Sequence, residues 1–217
     1  MSDSSPFKIH PSVVVDEGAV IGGGTAIWHF SHICAGAVIG NSCSIGQNVM
    51  VADNASLGNN VKVQNNVAIY GGVTIEDDVF LGPSCVLTNV TNPRSQVSRK
   101  TLYEKTHIKR GATIGANATI VCGISLGCYC FIGAGSVVTK NIPDYGMVLG
   151  NPGKLAGFMS RHGHKLKFDE SGRATCPESK FVYEKVEQQV RCLDLDEDEP
   201  LPSELSFGSQ YYDSFKK

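Results

Sequence analysis

An aliphatic residue recurs at every sixth position along most of the chain. From Ile9 to Leu87 the step of six meets Ile, Leu or Val at 14 consecutive places, and it resumes from Ile108 to Val138 for 6 more. An α-helix, with about 3.6 residues per turn, would spread side chains of this period over several sides, so a helix is not predicted. The 20 hexapeptides instead predict an internal repeat that decides the whole fold.

The other positions of the hexapeptide predict how each repeat folds. Four residues after the aliphatic position the side chain is small or β-branched, as at Ala19, Thr25 and Val49, and such side chains can share a narrow interior. Three residues after it, Gly, Asn or Asp stands at 14 of 20 places, and these residues tolerate a left-handed backbone. Each hexapeptide therefore predicts one short strand and one corner. Three hexapeptides form a triangular coil of about 18 residues, and successive coils pair as parallel strands roughly 4.8 Å apart.

The repeat is interrupted once, between Leu87 and Ile108. The spacing there is 21 residues instead of 6, so 15 extra residues form an inserted loop within residues 88–107. Long insertions in compact scaffolds are usually either functional or disordered. The loop is more basic than the rest of the chain, which favours an anionic ligand. Its polar and aromatic residues include Arg94, Arg99, Lys100, Tyr103, Lys105 and His107.

Composition excludes several classes of function. With 19 basic and 21 acidic residues and no basic run, the chain is not expected to bind nucleic acid. The first residues do not resemble a signal peptide, and no stretch of about 18 apolar residues predicts a membrane span. We therefore expect a cytoplasmic protein without a membrane partner.

The eight cysteines predict neither a disulfide framework nor a metal site. Most of them stand where the repeat also uses small apolar residues, so we interpret them as reduced packing residues. Cys176 and Cys192 resemble half of a zinc ribbon, but the second ligand pair is missing. We expect no metal.

The chain after the repeat predicts three further segments. A short helix from about Leu155 to Arg161 is expected to cap the open end of the last coil. Residues 165–193 predict a small β-meander, with strands at LKFD, RATC, FVYEKV and VRCL. The acidic residues 194–217 predict a flexible tail or a strap over a neighbouring subunit. The expected division is a repeat domain at 1–150, a helix and meander at 151–193, and this tail.

Longer motifs carry a family resemblance. The repeated [LIV]-G-x-x-x-x pattern, the late loop and the string VTKNIPDYGMVLGNPGKLAG resemble the left-handed β-helix acyltransferases that use acetyl-CoA. Over residues 9–162, the strings IWHFSHICAGAVIG, CSIGQNV, VKVQNNVAIYGGVTIEDDVFLGPSCVLTNVTNPR and GATIGANATIVCG resemble bacterial UDP-2-acetamido-3-amino-2,3-dideoxyglucuronate N-acetyltransferases of lipopolysaccharide O-antigen biosynthesis. The predicted fold is thus all-β: a left-handed parallel β-helix with one inserted loop, a short C-terminal helix and a small β-rich appendage.

The resemblance implies acetylation of the 3-amino group of a UDP-linked sugar acid. Asn89, at the root of the inserted loop, would contact the sugar beside the reacting amine. His29 and His32 are candidate general bases, since imidazole titrates near physiological pH. Alternatively both decorate an outer face or a subunit contact, and the departing CoA thiolate takes the proton.

The remaining candidates bind the substrate and acetyl-CoA. Polar side chains that could line a groove on one side of the prism are Gln47, Asn65 and Asn66. Cations suited to a pyrophosphate or carboxylate are Arg94, Arg99 and Lys100, and the alternative for each is a solvated surface charge. The resemblance implies that acetyl-CoA lies between subunits of a homotrimer, on exposed backbone. That backbone is expected at Gly115, Ala116, Gly133 and Ala134, with phosphate partners at Lys140, Lys154 and Arg161.

Three alternatives remain at this point. A related acetyltransferase would act on a dTDP-linked amino-deoxyhexose. A γ-type carbonic anhydrase shares the prism but requires three converging histidines, and His29, His32 and His107 have no evident arrangement of that kind. A purely structural or ice-binding β-helix would present a repetitive flat face, whereas the outward positions here vary.

Overall fold

The computed structural model describes residues 7–208 and 210–215, and their regular secondary structure is almost entirely β. The first 20 strands coincide with the 20 hexapeptides, and the aliphatic residue of each hexapeptide ends its strand. The strands of the repeat are β1 (Lys8–Ile9), β2 (Val14–Val15), β3 (Val20–Ile21), β4 (Ala26–Ile27), β5 (His32–Ile33), β6 (Val38–Ile39), β7 (Ser44–Ile45), β8 (Met50–Val51), β9 (Ser56–Leu57), β10 (Lys62–Val63), β11 (Ala68–Ile69), β12 (Val73–Ile75), β13 (Phe80–Leu81), β14 (Val86–Leu87), β15 (Thr106–Ile108), β16 (Thr113–Ile114), β17 (Thr119–Ile120), β18 (Ser125–Leu126), β19 (Phe131–Ile132) and β20 (Val137–Val138). Within the described ranges, no helix is long and apolar enough to cross a membrane.

Every third strand lies on the same face of a three-sided prism. Face A carries β1, β4, β7, β10, β13, β16 and β19; face B carries β2, β5, β8 and β11 in one sheet and β14, β17 and β20 in another; face C carries β3, β6, β9, β12, β15 and β18. Neighbouring strands are parallel, and the partner residues Lys8 and Ala26 are one 18-residue coil apart. Across the inserted loop, Val73 pairs with Thr106 instead. The predicted parallel β-helix and its loop are confirmed, and the coil is consistent with the left-handed form.

One continuous core fills the prism. The aliphatic positions from Ile27 to Val138 are buried, and small residues such as Ala37, Val61 and Ala118 fill the space between them. Burial of this kind is the main stabilising contribution, at roughly 25 cal/mol per Å² of apolar surface. The hexapeptide pattern therefore specifies both the strands and the core.

The corners adopt the left-handed backbone that the sequence predicts. Of the 14 Gly, Asn or Asp corner residues, 13 have a positive φ, with Asn141 the exception. Four residues of other types also take this conformation: Phe30, Ser42, Ser84 and Tyr129. A bulky residue with positive φ is strained, so Phe30 and Tyr129 are held there by the coil geometry.

The predicted helix at 155–161 is wrong. The chain instead forms β21 (Gly146–Leu149), parallel to β19, and β22 (Lys154–Phe158), antiparallel to β21. An open edge strand offers unpaired backbone groups, and pairing with them outweighs the local preference of a five-residue segment. Gly157, with φ +143°, also does not fit a helix. The two strands continue the sheet of face A, so this sheet extends past residue 150, where the repeat domain was expected to end.

A small antiparallel meander follows. It consists of β23 (Arg173–Thr175), β24 (Val182–Val186) and β25 (Gln189–Cys192), while the predicted strand at 166–169 is absent. A second hydrophobic cluster joins the meander to the last coils. In it, Tyr145 stacks on Tyr129 and meets Tyr183 edge to face, with ring centroids 5.5 and 5.4 Å apart.

The acidic segment after residue 193 lies against the same chain. Arg161 donates hydrogen bonds to the carbonyl oxygens of Asp196 and Glu199, at 2.9 and 2.6 Å. The Tyr129 hydroxyl donates to the carbonyl oxygen of Glu197 at 2.8 Å. The sequence predicted a flexible tail or a strap over a neighbour, so these contacts within the chain are a finding of the structure.

Candidate active site

The 18-residue coil stacks corner residues into columns, and many candidate residues share one column. We call the connection from face A to face B the AB corner; it comprises residues 10–13, 28–31, 46–49, 64–67, 82–85, 115–118 and 133–136. Eight candidates fall on it: His29, Gln47, Asn65, Asn66, Gly115, Ala116, Gly133 and Ala134. Backbone hydrogen bonds join successive corners, for example from the Asn66 N–H to the Gln47 carbonyl at 2.9 Å.

The lower AB corner, residues 10–13 and 28–31, carries aromatic side chains that are partly exposed. The His29 ring lies 3.6 Å from the ring of His10, centroid to centroid, and Nδ1 of His29 is 3.5 Å from Nε2 of Gln47. Desolvation and the neighbouring His29 lower the pKa of His10. Trp28 and Phe30 are 40% and 71% exposed. His29 therefore belongs to an aromatic surface cluster.

His32 lies on face B, where its strand position turns the side chain outward. Its Nε2 is 3.1 Å from Oδ2 of Asp16, and its ring nitrogens are 4.0 Å from the Cys34 sulfur. Potential ligand atoms of Asp16, His32 and Cys34 lie within 4.8 Å of one another, but all three residues are partly exposed. The third histidine, His107, lies on face C with Nε2 2.6 Å from Glu76. The three histidines of the carbonic anhydrase alternative thus do not converge within one chain.

In the middle AB corner, residues 46–49 and 64–67, most polar side chains already make hydrogen bonds to neighbouring coils. Asn65 accepts the backbone N–H of Gln47 on Oδ1 at 2.8 Å. Asn66 accepts a hydrogen bond from the side chain of Asn48 at 3.1 Å. Both oxygens therefore tie neighbouring coils together, which leaves the exposed Gln47 side chain as the freer group.

In the upper AB corner, residues 115–118 and 133–136, the structure corrects part of the expectation that exposed backbone is available to acetyl-CoA. The N–H groups of Gly115 and Gly133 donate to Ile132 and Val148, both at 2.8 Å, so they are not open backbone. A Cβ on Gly115 would lie 2.5 Å from the nitrogen of Ala134, which means that this glycine serves coil stacking.

By contrast, the N–H groups of Ala116 and Ala134 have no acceptor among the described residues. At the corner between faces C and A, an Asn or Asp of the next coil accepts the equivalent N–H, as Asn59 does for Asn41 at 2.9 Å. Alanine has no such oxygen. Two outward amide donors therefore stand one coil apart, a spacing suited to the carbonyl groups of an extended ligand.

The inserted loop encloses a second group of candidates. It forms an open cavity of about 870 Å³ beside face B, lined among others by Tyr70, Asn89, Arg94, Arg99, Lys100 and Tyr103. The half-buried Asn89 lies two residues after the end of β14, and its side chain makes no hydrogen bond within the described part of the chain. Tyr70 was not among the sequence candidates, although an aromatic residue at a corner position is a usable signal.

The loop cations lie in this cavity without acidic partners. Arg99 is oriented by a hydrogen bond from its Nε to the carbonyl oxygen of Asn92 at 3.0 Å, and Arg94 donates to the carbonyl oxygen of Pro93 at 3.3 Å. Neither arginine, nor Lys100, has an ion pair among residues 7–208 and 210–215. The cavity therefore has uncompensated positive charge, which favours an anion.

The structure separates Asn89 from both candidate bases. His32 and the strand before Asn89 lie on face B three coils apart, because β5, β8, β11 and β14 follow one another. Three coil spacings are about 14 Å. His29 is equally far below the coil of Asn89. Neither ring reaches an amine held at Asn89 in the same chain.

The three residues predicted to bind the phosphates of acetyl-CoA differ in how close they lie to the upper AB corner. Lys154 pairs with Leu149, whose side chain covers Gly133, so Lys154 lies beside the upper AB corner. Lys140 is exposed at the connection from face B to face C. Arg161 is engaged by the acidic segment, and its guanidinium carbon lies 4.3 Å from the centre of the Tyr129 ring.

Family models match the repeat. The model described as bacterial transferase hexapeptide (six repeats) matches residues 54–89, and the hexapeptide repeat of succinyl-transferase matches residues 31–70 and 107–140. A relative from Aneurinibacillus thermoaerophilus, dTDP-3-amino-3,6-dideoxy-alpha-D-galactopyranose 3-N-acetyltransferase, is 45% identical over 175 residues, which are 81% of this chain and 90% of the relative. The chain belongs to the hexapeptide-repeat sugar N-acetyltransferases. It is thus an acetyl-CoA-dependent enzyme that acts on nucleotide-linked amino sugars.

Two solved acetyltransferase structures are similar over part of the chain. One is a mutant of GDP-perosamine N-acetyltransferase from Caulobacter crescentus with CoA and GDP-perosamine, at 22% identity and a TM-score of 0.47, covering 71% of this chain and 58% of that one. The other is the acetyltransferase domain of PglB from Neisseria gonorrhoeae with acetyl coenzyme A, at 23% identity and a TM-score of 0.47, covering 69% and 57%. At such identities the family assignment rests on the relative described above.

Proposed function

We propose that this acetyltransferase acetylates the 3-amino group of a UDP-linked 2-acetamido-3-amino-2,3-dideoxyglucuronic acid. The observation that carries the proposal is the loop cavity, in which Asn89 lies together with three cations that have no acidic partner among the described residues. A nucleotide-linked uronic acid has two anionic parts, a pyrophosphate and a carboxylate. Guanidinium groups such as those of Arg94 and Arg99 suit both.

Positioning carries most of the proposed mechanism. The free amine attacks the thioester carbonyl of acetyl-CoA, a tetrahedral oxyanion forms, and the C–S bond breaks to release the CoA thiolate. Asn89 contacts the sugar beside the amine and holds it in line with the carbonyl. The N–H groups of Ala116 and Ala134 anchor the extended arm of acetyl-CoA.

The departing thiolate takes the proton of the amine in this proposal. Thiolate is a sufficient base for an ammonium that loses its proton as the amide forms. The distance of about 14 Å to His29 and His32 supports this choice over general base catalysis by histidine.

A homotrimer would bring the two halves of the site together. Face B lies between the AB corner and the inserted loop, and it exposes apolar side chains, including Val14 at 57% and Val86 at 47%. If three copies pack with face B toward a common axis, the AB corner of one copy adjoins the loop of the next. Acetyl-CoA would then lie on one subunit and the amino sugar on its neighbour.

A second substrate is favoured by the comparison with the Aneurinibacillus relative. That enzyme's name states a dTDP-linked 3-amino-3,6-dideoxyhexose, and it is 45% identical to this chain. Such a sugar has the same reacting 3-amino group but lacks the carboxylate at C6. The two proposals therefore differ in what the loop cations bind.

A panel of UDP- and dTDP-linked 3-amino sugars, with and without a C6 carboxylate, tests the proposal by release of CoA thiol. We expect the UDP-linked uronic acid to have the highest kcat/KM, and Arg99→Gln to lower it for that substrate more than for a 6-deoxy sugar. Equal turnover with and without the carboxylate would exclude the uronic acid proposal. A role in O-antigen synthesis is implied by the family resemblance, a cytoplasmic location is expected from the residues, and both stay predictions.

A further inference from the structure

The two ends of the inserted loop are joined by one acidic residue. The backbone N–H of Glu104 donates to the carbonyl oxygen of Asn89 at 2.9 Å. The carboxylate of Glu104 accepts two more hydrogen bonds on Oε1, from the N–H of Thr91 at 3.0 Å and from the Thr91 hydroxyl. Residues near the end of the loop thus hold residues at its beginning through both backbone and side chain.

We propose that Glu104 is a positioning residue for the acetyl transfer. It closes the root of the loop and thereby presents the Asn89 amide at the base of the cavity. The inference rests on the proposed function, because it assumes that Asn89 contacts the sugar. Glu104 itself does not line the cavity and acts through Asn89.

The surrounding residues are fitted to the Glu104 carboxylate. A Cβ on Gly123 would lie 2.7 Å from Oε2 of Glu104, and Gly123 has a φ of +81°. The Thr91 hydroxyl also lies 3.6 Å from the sulfur of Cys122. The carboxylate therefore lies in the space that a side chain at Gly123 would fill, and its orientation is defined by these contacts.

The need for such a closure follows from the size of the insertion. Loop residues 92–102 make hydrogen bonds mainly with one another, such as Arg99 with Asn92 and Leu102 with Arg99. A flexible loop gains conformational entropy when its ends separate. Hydrogen bonds to an ionised carboxylate are stronger than neutral ones, so they suit this position. The Thr91 hydroxyl and N–H hold the pKa of Glu104 below its ordinary value, because they stabilise the ionised carboxylate.

Substitutions at Glu104 and Thr91 test the proposal in the full-length enzyme. We expect Glu104→Ala to lower kcat at least tenfold while KM for acetyl-CoA changes less than twofold, since the AB corner is untouched. Thr91→Val, which removes the hydroxyl but keeps the N–H, should lower kcat less, and Thr91→Ser should restore it. Glu187→Ala is the matched control, because Glu187 is exposed in the turn between β24 and β25 and makes no hydrogen bond or ion pair among the described residues.

Limited digestion with trypsin reports on the loop independently of activity. In Glu104→Ala we expect faster cleavage at the loop residues Arg94, Arg99 and Lys100, with the melting temperature of the prism changed by only a few degrees. A merely structural role in the prism would instead lower the melting temperature and leave the loop no more sensitive than other sites.

The double variant with Asn89→Ala separates the failure of this inference from the failure of the proposed function. If Glu104 acts through Asn89, Glu104→Ala costs little further activity once Asn89 is gone. Multiplicative losses, or a kcat within threefold of wild type in Glu104→Ala while Asn89→Ala is impaired, would overturn the positioning role. An unimpaired Asn89→Ala would instead show that the proposed site is misplaced, and the positioning role would fail with it.

Discussion

Pro83 lies directly below Ala116 in the AB corner, because the residues two positions earlier, Leu81 and Ile114, are partners in neighbouring strands. The N–H of Asn117 donates to the carbonyl of Pro83 at 3.0 Å, which places the two corners in register. Pro11 stands at the same corner position in the first coil. This position therefore accepts proline, which has no N–H to offer a ligand.

The N–H groups of Ala116 and Ala134, which have no acceptor among the described residues, can be removed by substitution with proline. We expect Ala116→Pro and Ala134→Pro each to raise KM for acetyl-CoA roughly 2- to 13-fold, the equivalent of one net hydrogen bond. The KM for the amino sugar and the melting temperature should change little. Steady-state kinetics with each substrate varied in turn, together with thermal unfolding, provide the measurement.

Ala35→Pro is the control for these variants, since Ala35 has the same hexapeptide position on the connection from face B to face C. It should leave KM for acetyl-CoA unchanged. An equal rise of KM in all three variants would show that proline perturbs the coil and not a ligand contact.

Asn89→Ala should lower kcat/KM for the amino sugar on the order of tenfold or more, because a hydrogen bond that orients the reacting amine is lost. Asn92→Ala is a matched control in the same loop, where the side chain is exposed. A loss of less than threefold in Asn89→Ala, measured at saturating acetyl-CoA, would contradict the site assignment.

The histidines should not act as general bases. Because His29 and His32 lie about 14 Å along the prism from the coil of Asn89, we expect His29→Asn and His32→Asn to retain kcat within about threefold. The pH dependence of kcat in these variants should follow that of the wild type. A drop of a hundredfold or more, or loss of a limb of the pH profile, would instead indicate an imidazole base.

The eight free cysteines should be largely unreactive in the folded enzyme. Burial raises the pKa of Cys85 to about 12 and that of Cys128 to about 11, so thiolate is scarce at pH 8. With iodoacetamide followed by mass spectrometry, we expect the partly exposed Cys34 to react first and the buried Cys85 and Cys130 to remain unmodified. In denaturant all eight should react, and rapid native alkylation of Cys85 would contradict this packing.

The closure of the inserted loop should persist down to mildly acidic pH. The pKa of Glu104 is lowered by its hydrogen bonds with Thr91, so its stabilising effect is fully present above the ordinary value of 4.5 and is lost as the pH falls through the lower folded value. Hydrogen exchange of the loop amides, corrected for intrinsic rates, should therefore be constant from pH 8 to pH 5. Protection should decline only below about pH 4.5, and Glu104→Gln should abolish this step.

The repeat could be predicted residue by residue because a local pattern of six residues specifies each strand and each corner. Every aliphatic position from Ile27 to Val138 is buried, and the corner residues have the backbone freedom that their types allow. The helix expected at 155–161 failed for the opposite reason. Its conformation depends on the open edge of β21, a partner that no local pattern reveals.

The sequence by itself determined the coil length, the core, the inserted loop and the resemblance that led to the reaction. It also indicated the types of side chain at the site. Only the tertiary structure decided that Gly115 serves coil stacking, that the N–H groups of Ala116 and Ala134 have no acceptor among the described residues, and that Asn89 lies three coils from His29 and His32. These relations join residues 15 or more positions apart. Such contacts depend on which residues of neighbouring coils are stacked on each other, and the repeat pattern in the sequence is the same for every coil.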